Sequence, residues 1–470
     1  GKLVGDGAES NALQSGVVQN GNSYKITITT SNITTGYLSV RVGSGGAENF
    51  QVNSNGTQTF YTTADNGTFI LFRNQSSFDG SIDNVSVKEI QEADFDFSRG
   101  SSATRVNEKG LIEDSQGDDY PRIDFTDGTG SLLLEPQRTN SVPYSNDFSQ
   151  HALTGGSITS DDIVSPDGSV NADTFAEDTN NSQHKIREDI SVTLGTYTMS
   201  CFVKGTDRFI SFYPQGISTA YAVFDIANEN VTASGGSDYV SSDIQNYGSG
   251  WYRCSLTYNV DTGTSYTHIY LSNSSTNPSP TYTGNGSEMS FYGLQLEAGD
   301  YLTSYIPTSG STVTRSADVA NNSGNADLIN STEGVFYAEI SGFKDDPSNR
   351  YLSIHDGTNQ NAVYIAIGGN DFLYVGVRSN NTTQYDRFYS RASGFICENS
   401  NKIAVHYKQN DFFVYLNGNK ILEETSGSTP IGMDELAFNY GGSSRFYGNV
   451  KCVAVFKEAL TDEELQQLTS

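Results

Sequence analysis

The sequence has little of several residue types, and each shortage excludes a class of protein. Four cysteines in 470 residues are too few for a disulfide scaffold, and the absence of a Cys-x-x-Cys pair excludes the usual thiolate zinc site. Lysine and arginine number 27 against 55 acidic residues, which gives a formal net charge of −28. Nucleic acid is therefore not an expected partner, because phosphate binding requires clustered basic side chains.

Long apolar stretches and long helical stretches are also missing. No run of ~18 apolar residues occurs, so membrane insertion is not expected. One tryptophan and three methionines contrast with 47 glycines, 28 tyrosines and 25 phenylalanines. Aromatic residues suit half-buried strands and glycine suits tight turns, so the composition predicts an all-β protein. The chain begins at Gly1 without an initiating methionine, which is typical of a cut product with sequence missing upstream.

The four cysteines fall in pairs on predicted strands of two different domains. Cys201 and Cys254 lie in one domain, and Cys397 and Cys452 lie in the next. This placement permits two disulfides, but small buried thiols are the preferred interpretation.

Residues 1–90 are predicted to form a small β-sandwich. Apolar and polar residues alternate with period two in three segments, which lie at residues 23–29, 37–42 and 69–73. The segment that closes this domain, Phe78-Asp-Gly-Ser-Ile-Asp83-Asn-Val-Ser-Val87, resembles the last strand of galactose-binding-like carbohydrate-binding jelly rolls. The resemblance implies a structural Ca²⁺ held by Asp83 together with Asp6 and Glu9, whose oxygens are the ligands that Ca²⁺ requires. The alternative is that Asp83 binds backbone amides at a turn.

The middle of the chain is predicted to hold a connector and a second sandwich. In residues 91–145, arginines alternate with acids around the apolar run Leu132-Leu-Leu134, which indicates an extended β connector fixed by arginine–carboxylate pairs. Residues 146–310 carry strand patterns at 195–204, 250–257 and 291–297 and resemble the same jelly-roll class. Trp251 follows a glycine turn at a strand start, which favours a core or sheet-edge residue over a sugar-stacking platform.

Residues 311–330 are polar and rich in serine, asparagine and glycine, which predicts a linker to a third domain at 331–470. Arg315 and Asp318 are candidate anchors of this linker to the domain before it. The third domain ends in a strand pattern at 446–456 and then Thr461-Asp-Glu-Glu464-Leu, a capping box that opens a short helix. This ending resembles the laminin-G-like, concanavalin A-type lectin fold.

Catalytic motifs are not evident. A Glu-x-Asp-x-x-Glu string, a Gly-x-Ser-x-Gly elbow and a His-x-x-x-His spacing are all absent, so an enzyme is not expected. His355 and Asp356, next to a glycine, are loop candidates for ligand contact.

Three separated stretches of the sequence together form a set of motifs, which we call the stock phrase. They are Phe97-Ser-Arg99-Gly-Ser-Ser-Ala-Thr-Arg105, Leu132-Leu-Leu-Glu135-Pro-Gln-Arg138-Thr-Asn140, and Gln295-Leu-Glu297-Ala-Gly299 followed by Thr303-Ser-Tyr305-Ile-Pro307-Thr308 and Thr314-Arg315. Over roughly residues 93–320, the chain resembles modular bacteriophage tail-fibre and head-spike-fibre proteins that carry carbohydrate-binding sandwiches. The resemblance implies a location on the virion surface, other virion proteins as partners, and a homo-oligomer, a trimer in such fibres.

The fold class expected is therefore tandem antiparallel β-sandwiches, with two galactose-binding-like jelly rolls followed by a concanavalin A/laminin-G-like sandwich and a short C-terminal helix. The leading hypothesis is non-catalytic adhesion to a cell-surface polysaccharide or glycan. Candidate contacts in the third domain are tyrosines of a concave sheet and the loop pair, namely Tyr364, Tyr374, Tyr389, Tyr440, His355 and Asp356. The alternatives are a purely structural virion component without sugar binding, and accessory modules of a secreted polysaccharide-active enzyme.

Overall fold

The computed structural model describes residues 3–6, 11–43, 49–90, 93–115, 117–214, 218–261, 263–343, 346–368 and 372–470. The chain divides into two compact units, Gly1–Asp94 and Phe95–Ser470. Both units are built from antiparallel strands packed as sandwich-type sheets, which confirms the predicted all-β class.

The first unit has six strands, which are β1 (Leu3–Asp6), β2 (Asn11–Ser15), β3 (Ser23–Val42), β4 (Phe50–Val52), β5 (Gly56–Thr63) and β6 (Phe69–Ile90). The sequence patterns predict separate strands at 23–29 and 37–42, whereas the structure joins them into β3. Strand β3 bends at Asn32 and Gly36, whose φ angles are 55° and 68°. Strands β3 and β6 pair along their length and carry the buried core on one side, including Ile26, Val40 and Phe72.

The larger unit begins with short strands of the predicted connector, which are β7 (Asp96–Ser98), β8 (Thr104–Val106), β9 (Ile112–Asp114), β10 (Arg122–Asp124), β11 (Ser131–Leu134) and β12 (Arg138–Asn140). Strand β11 extends a sheet of the C-terminal sandwich because Leu132 pairs with Val450. Leu134 is buried in that sandwich's core, which explains the apolar run at residues 132–134. Strand β11 of the connector is thus part of the C-terminal sandwich.

The second sandwich contains strands β13 (Ala152–Thr154), β14 (Gly156–Val164), β15 (Val170–Glu177), β16 (Asn181–Ser182), β17 (His184–Arg187), β18 (Asp189–Ser191), β19 (Gly195–Lys204), β20 (Phe209–Phe212), β21 (Tyr221–Asp225), β22 (Asn230–Gly235), β23 (Tyr239–Asn246), β24 (Tyr252–Val260), β25 (Thr264–Tyr266), β26 (Ile269–Ser272), β27 (Tyr282–Thr283) and β28 (Glu288–Ala298). Two six-stranded sheets, ordered β13-β17-β26-β20-β21-β22 and β14-β15-β28-β19-β24-β23, enclose its core.

Strand β29 (Val313–Arg315) pairs with β12 in a separate two-stranded sheet. The C-terminal sandwich contains β30 (Val319–Asn321), β31 (Glu333–Ser341), β32 (Arg350–His355), β33 (Ala362–Gly368), β34 (Phe372–Ser379), β35 (Thr382–Ser390), β36 (Asn401–Lys408), β37 (Asp411–Leu416), β38 (Asn419–Glu424), β39 (Glu435–Ala437), β40 (Gly448–Phe456) and the helix α1 (Asp462–Thr469). A seven-stranded sheet, β10-β11-β40-β31-β36-β37-β38, faces a five-stranded sheet, β35-β34-β33-β32-β39. Alternate residues of both sheets fill the core between them, as Phe336, Val405, Ile354 and Val375 show.

The helix α1 begins as the capping box predicts. The Thr461 hydroxyl accepts from the Glu464 amide, and the Glu464 carboxylate accepts from the Thr461 amide. Leu465 of this helix is buried against the seven-stranded sheet. No helix within the described ranges has the length and hydropathy required to span a bilayer. None of the four cysteines forms a disulfide; three are buried, whereas Cys452 is exposed.

A buried charge cluster joins the connector to residues 311–330. It consists of Arg99, Arg122, Glu135, Arg315 and Asp318, which are all almost inaccessible to solvent. Arg122 lies 2.7 Å from the Glu135 carboxylate and 2.5 Å from that of Asp318, and Arg315 lies 2.9 Å from Glu135. Arg99 donates to Asp318 at 3.1 Å. The polar segment that composition predicts as a linker thus supplies two buried members of this cluster.

Candidate functional site

One side of the five-stranded sheet in the C-terminal sandwich is covered with aromatic rings. Strand alternation places Tyr351 of β32, Tyr364 of β33, Tyr374 of β34 and Phe388 of β35 on the side away from the core. The loop after β39 adds Tyr440. We call these five residues the aromatic face.

Small residues on neighbouring strands allow the rings to lie across the sheet. Tyr364 pairs with Gly376, and Tyr374 pairs with Ala366. A Cβ added at Gly376 would meet the Tyr364 hydroxyl oxygen at 2.2 Å, so the Tyr364 ring occupies the space above this glycine. The position of the Tyr364 ring therefore depends on the absence of a side chain at Gly376.

The rings form a continuous row. Tyr374 stacks on Phe388 with centroids 4.2 Å apart, and Tyr351 stacks on Tyr440 at 4.9 Å. Tyr364 joins these two stacks, since its centroid lies 5.3 Å from Tyr374 and 5.0 Å from Tyr440. Phe388 is 61% exposed at one end of the row, so one ring face is open to solvent.

Polar groups border the aromatic face. The Tyr374 hydroxyl donates to the Asp386 carboxylate at 2.9 Å. Burial and the hydrogen bond to the Asp386 carboxylate outweigh the opposing hydrogen bond with Tyr364 and raise the pKa of Tyr374 to about 12, so this hydroxyl stays protonated at neutral pH. Arg378 donates to the Tyr440 hydroxyl at 3.4 Å and to the Asn381 side-chain oxygen at 2.7 Å. The face thus combines apolar ring surfaces with a cation, a carboxylate and an amide.

The structure brings together three of the tyrosines predicted from sequence, which are Tyr364, Tyr374 and Tyr440. Tyr374 and Tyr440 are half-buried, whereas Tyr364 is 2% exposed and supports its neighbours from within the row. Tyr389 pairs with Leu373 on the opposite side of the sheet and packs against the core. This position follows from strand alternation, because Tyr389 is adjacent in sequence to the outward-facing Phe388.

Of the predicted loop pair, His355 is buried, whereas Asp356 is partly exposed. His355 is 1% exposed, and its Nδ1 accepts from the Gly357 amide at 3.0 Å. Asp356 accepts from Thr358 and from Asn361, bonds that organise its own loop.

Sequence reasoning missed Tyr351, Phe388, Arg378 and Asp386. The available signal was the period-two alternation of Tyr374, Gly376 and Arg378 on β34, and of Asp386 and Phe388 on β35. Pairing of these two strands places Asp386 opposite Gly376 and Phe388 opposite Tyr374. Only the register of the sheet turns those separate patterns into one surface.

The predicted Ca²⁺ ligands lie in the first unit. Asp83 is exposed, and its carboxylate accepts from the Asn84 amide at 2.8 Å, as the alternative interpretation expects. Glu9 lies outside the described residues, and for Asp6 the structure describes only its strand pairing with Asp79. Within the ranges that the structure describes, no group of three or more His, Cys, Asp or Glu residues is placed to hold a metal ion. Calcium binding by Asp6, Glu9 and Asp83 stays a prediction.

Trp251, the single tryptophan, is a core residue. It is 1% exposed, and its indole N–H donates to the Val164 carbonyl at 3.0 Å. Its ring packs with Phe202 and Tyr305 in a small aromatic cluster. Trp251 therefore presents no face on which a sugar could stack.

Comparisons with known proteins give only distant likenesses. No protein-family model matches the sequence, and no curated protein is significantly similar to it. The CBM40 module of the Ruminococcus gnavus IT-sialidase, solved with α2,3-sialyllactose, is similar at 16% identity and a TM-score of 0.27, over 32% of this chain and 94% of that one. Domains LG4-5 of the mouse laminin α1 chain are similar at 12% identity and a TM-score of 0.21, over 61% of this chain and 93% of that one. Similarity at this level carries no inference about a ligand.

Proposed function

We propose that the chain is a non-catalytic glycan-binding protein whose C-terminal sandwich receives saccharide on the aromatic face. The row of rings from Phe388 to Tyr351 is the observation that supports this proposal. The apolar side of a pyranose ring stacks on an aromatic face, and the exposed ring of Phe388 offers such a face.

The border of the aromatic face supplies the hydrogen bonds that a saccharide requires. Arg378 is a donor, Asp386 is an acceptor, and the Asn381 side chain offers both functions. Saccharide hydroxyls both donate and accept, so they match this mixture. A mixed polar border with an apolar centre is the usual composition of a ligand site.

The resemblance of residues 93–320 to bacteriophage fibre proteins extends the proposal to the target. We propose a virion-surface location, a bacterial envelope polysaccharide as ligand, and neighbouring virion proteins as partners. A net charge of −28 keeps such a densely displayed protein from self-association beyond its own oligomer. Light scattering after size-exclusion chromatography tests the trimer that the resemblance implies.

Binding to immobilised bacterial lipopolysaccharides and capsular polysaccharides tests the glycan proposal. The Phe388→Ala variant is expected to lose about tenfold in affinity, ~1.4 kcal/mol, because it removes the exposed stacking ring. Tyr120→Ala is the matched control, since Tyr120 is a 55% exposed aromatic residue of the connector. Loss of binding in chelator would support the predicted Ca²⁺ site in addition.

Two outcomes would contradict the proposal. Equal affinities of Phe388→Ala and the unmodified chain would remove the aromatic face from the binding site. Failure to bind across the whole polysaccharide panel would favour a purely structural virion component.

A further inference from the structure

A cleft of about 260 Å³ lies in the larger unit, away from the aromatic face. Its floor is the outer side of strands β23 and β24, which present Gln245, Arg253 and Ser255. Connector residues around Asp124 form one wall, and the segment from Tyr301 to Tyr305 forms another. The cleft therefore lies where the connector crosses the second sandwich.

Arg253 is a buried cation in this cleft without a carboxylate partner. It is 2% exposed, and it donates to the Thr303 carbonyl at 2.9 Å and to the Ser200 hydroxyl at 3.1 Å. Within the described ranges its Nε has no hydrogen-bond partner and no acid forms an ion pair with it. The other buried arginines of this region, Arg99, Arg122 and Arg315, each pair with an acid.

Two further polar side chains of the cleft are only partly satisfied. Asp124 is 7% exposed, and its carboxylate accepts from the backbone amides of Val106 and Thr126, but no cation pairs with it among the residues described. The Tyr301 hydroxyl is buried, and no residue that the structure describes forms a hydrogen bond with it. Burial raises the pKa of Tyr301, so its hydroxyl remains a donor. Buried polar groups of this kind are normally hydrogen-bonded.

The size of the cleft selects a small ligand. Its volume is about 260 Å³. Pockets for drug-sized ligands begin at about 300 Å³. Phe202, Tyr247 and Tyr305 supply aromatic wall area, and the Arg253 guanidinium lies 5.0 Å from the Phe202 ring centroid.

We propose that this cleft is a second saccharide site that takes one neutral pyranose ring, either as a free sugar or as the end of a glycan chain. A guanidinium and a carboxylate that have no ion-pair partner among the described residues line it together with a phenol, so donors and an acceptor border one small space. Sugar hydroxyls satisfy both kinds, because each hydroxyl donates once and accepts from its neighbours. A charged ligand would leave either Arg253 or Asp124 facing a like charge.

The single tryptophan gives a local measurement of this site. Trp251 packs in one cluster with Val106, Ile112, Phe202 and Tyr305, which all line the cleft. Titration of the full chain with free hexoses and N-acetylhexosamines is expected to give a saturable change in tryptophan emission. A second titration uses the corresponding oligosaccharides. Binding of the oligosaccharides but not of the free sugars would show that the bound pyranose ring is the end of a glycan chain.

Matched variants separate this site from the aromatic face. Tyr301→Phe removes one unpartnered hydroxyl, so it is expected to fold normally and to weaken the emission-detected binding at least fivefold. Gln245→Ala, at an exposed lining position, is a second variant that leaves the core intact. Phe388→Ala is expected to leave the Trp251 titration unchanged.

Two results would overturn the proposal. Absence of a saturable emission change with any sugar would show that the cleft holds only water. Equal binding by the unmodified chain and by both cleft variants would place the emission response elsewhere. The Phe388→Ala variant tests the aromatic face by polysaccharide binding, and the cleft variants test this site by tryptophan emission. Either proposal can therefore be contradicted while the other still holds.

Discussion

The substitution Glu135→Gln tests whether the buried charge cluster holds the larger unit together. Glu135 is 1% exposed and accepts from Arg122 and from both the amide and the hydroxyl of Ser304, the last two at 2.6 Å, and it forms an ion pair with Arg315 at 2.9 Å. Glutamine preserves the shape but removes the charge, and its NH₂ group turns a donor toward other donors. Arg122 retains Asp318, whereas Arg315 loses its ion-pair partner among the described residues.

Two independent estimates give the size of the effect. Removing one partner of a buried ion pair costs about 3–5 kcal/mol, because the remaining charge is uncompensated. Burial alone raises the pKa of Glu135, but the charges of Arg315 and Arg122 and the hydrogen bonds from Ser304 outweigh it and lower the pKa from 4.5 to about 2. At 1.36 kcal/mol per unit, this shift corresponds to ~3 kcal/mol of folding stability. We expect Glu135→Gln to lower the free energy of unfolding by about 3 kcal/mol at pH 7.

The pH dependence supplies a second signature. The pKa of Glu135 is lower in the folded state than in the unfolded state, so its contribution is fully present above the unfolded pKa near 4.5. The contribution is lost as the pH falls toward the folded pKa of about 2. The difference in stability between the unmodified chain and Glu135→Gln should therefore narrow over this interval.

Urea unfolding followed by Trp251 emission measures both effects, because this indole is buried within the same unit. Glu113→Gln is the control, since the Arg105–Glu113 pair is partly exposed and should contribute at most about 1 kcal/mol. A loss below ~1 kcal/mol for Glu135→Gln would refute the reasoning. A stability difference that does not change between pH 5 and pH 2 would refute it as well.

Two further substitutions test the N-terminal cap of α1 and the glycine beneath the Tyr364 ring. Thr461→Ala removes the hydroxyl that accepts from the Glu464 amide and should cost about 1 kcal/mol in thermal unfolding, whereas Thr461→Ser should retain most of it. Gly376→Ala would place a Cβ 2.2 Å from the Tyr364 hydroxyl oxygen, so it should displace this ring and weaken polysaccharide binding several-fold without removing a contact residue. Gly100→Ala is its control, because only the Ser316 side chain, at 3.9 Å, lies near the added carbon.

Strand positions could be predicted from the sequence where alternation is local. The pattern at 195–204 coincides with strand β19, and the pattern at 291–297 lies within β28. The capping box before α1 was also recognisable, because its two residues are three positions apart. These signals need no knowledge of distant partners.

The buried charges could not be placed from local composition. Residues 311–330 are polar, which predicts a linker with Arg315 and Asp318 as candidate anchors, and both side chains are buried. Their partners Glu135 and Arg122 are more than 170 residues earlier in the chain. The composition of a short segment therefore cannot indicate which residues pair. The aromatic face could not be predicted from local sequence either, because the register between strands β32 to β35 brings its rings together.

The stock phrase of the sequence describes a scaffold. Asn140 of the phrase donates to the carbonyls of Leu294 and Ile306, and Glu297 accepts from Thr303. Glu135 accepts from Ser304, and the Thr104 hydroxyl donates to the Tyr305 carbonyl, so the three separated stretches bind one another. None of these residues belongs to the aromatic face. The phrase therefore predicts how the sandwiches are joined, whereas the aromatic face consists of side chains that the phrase does not contain.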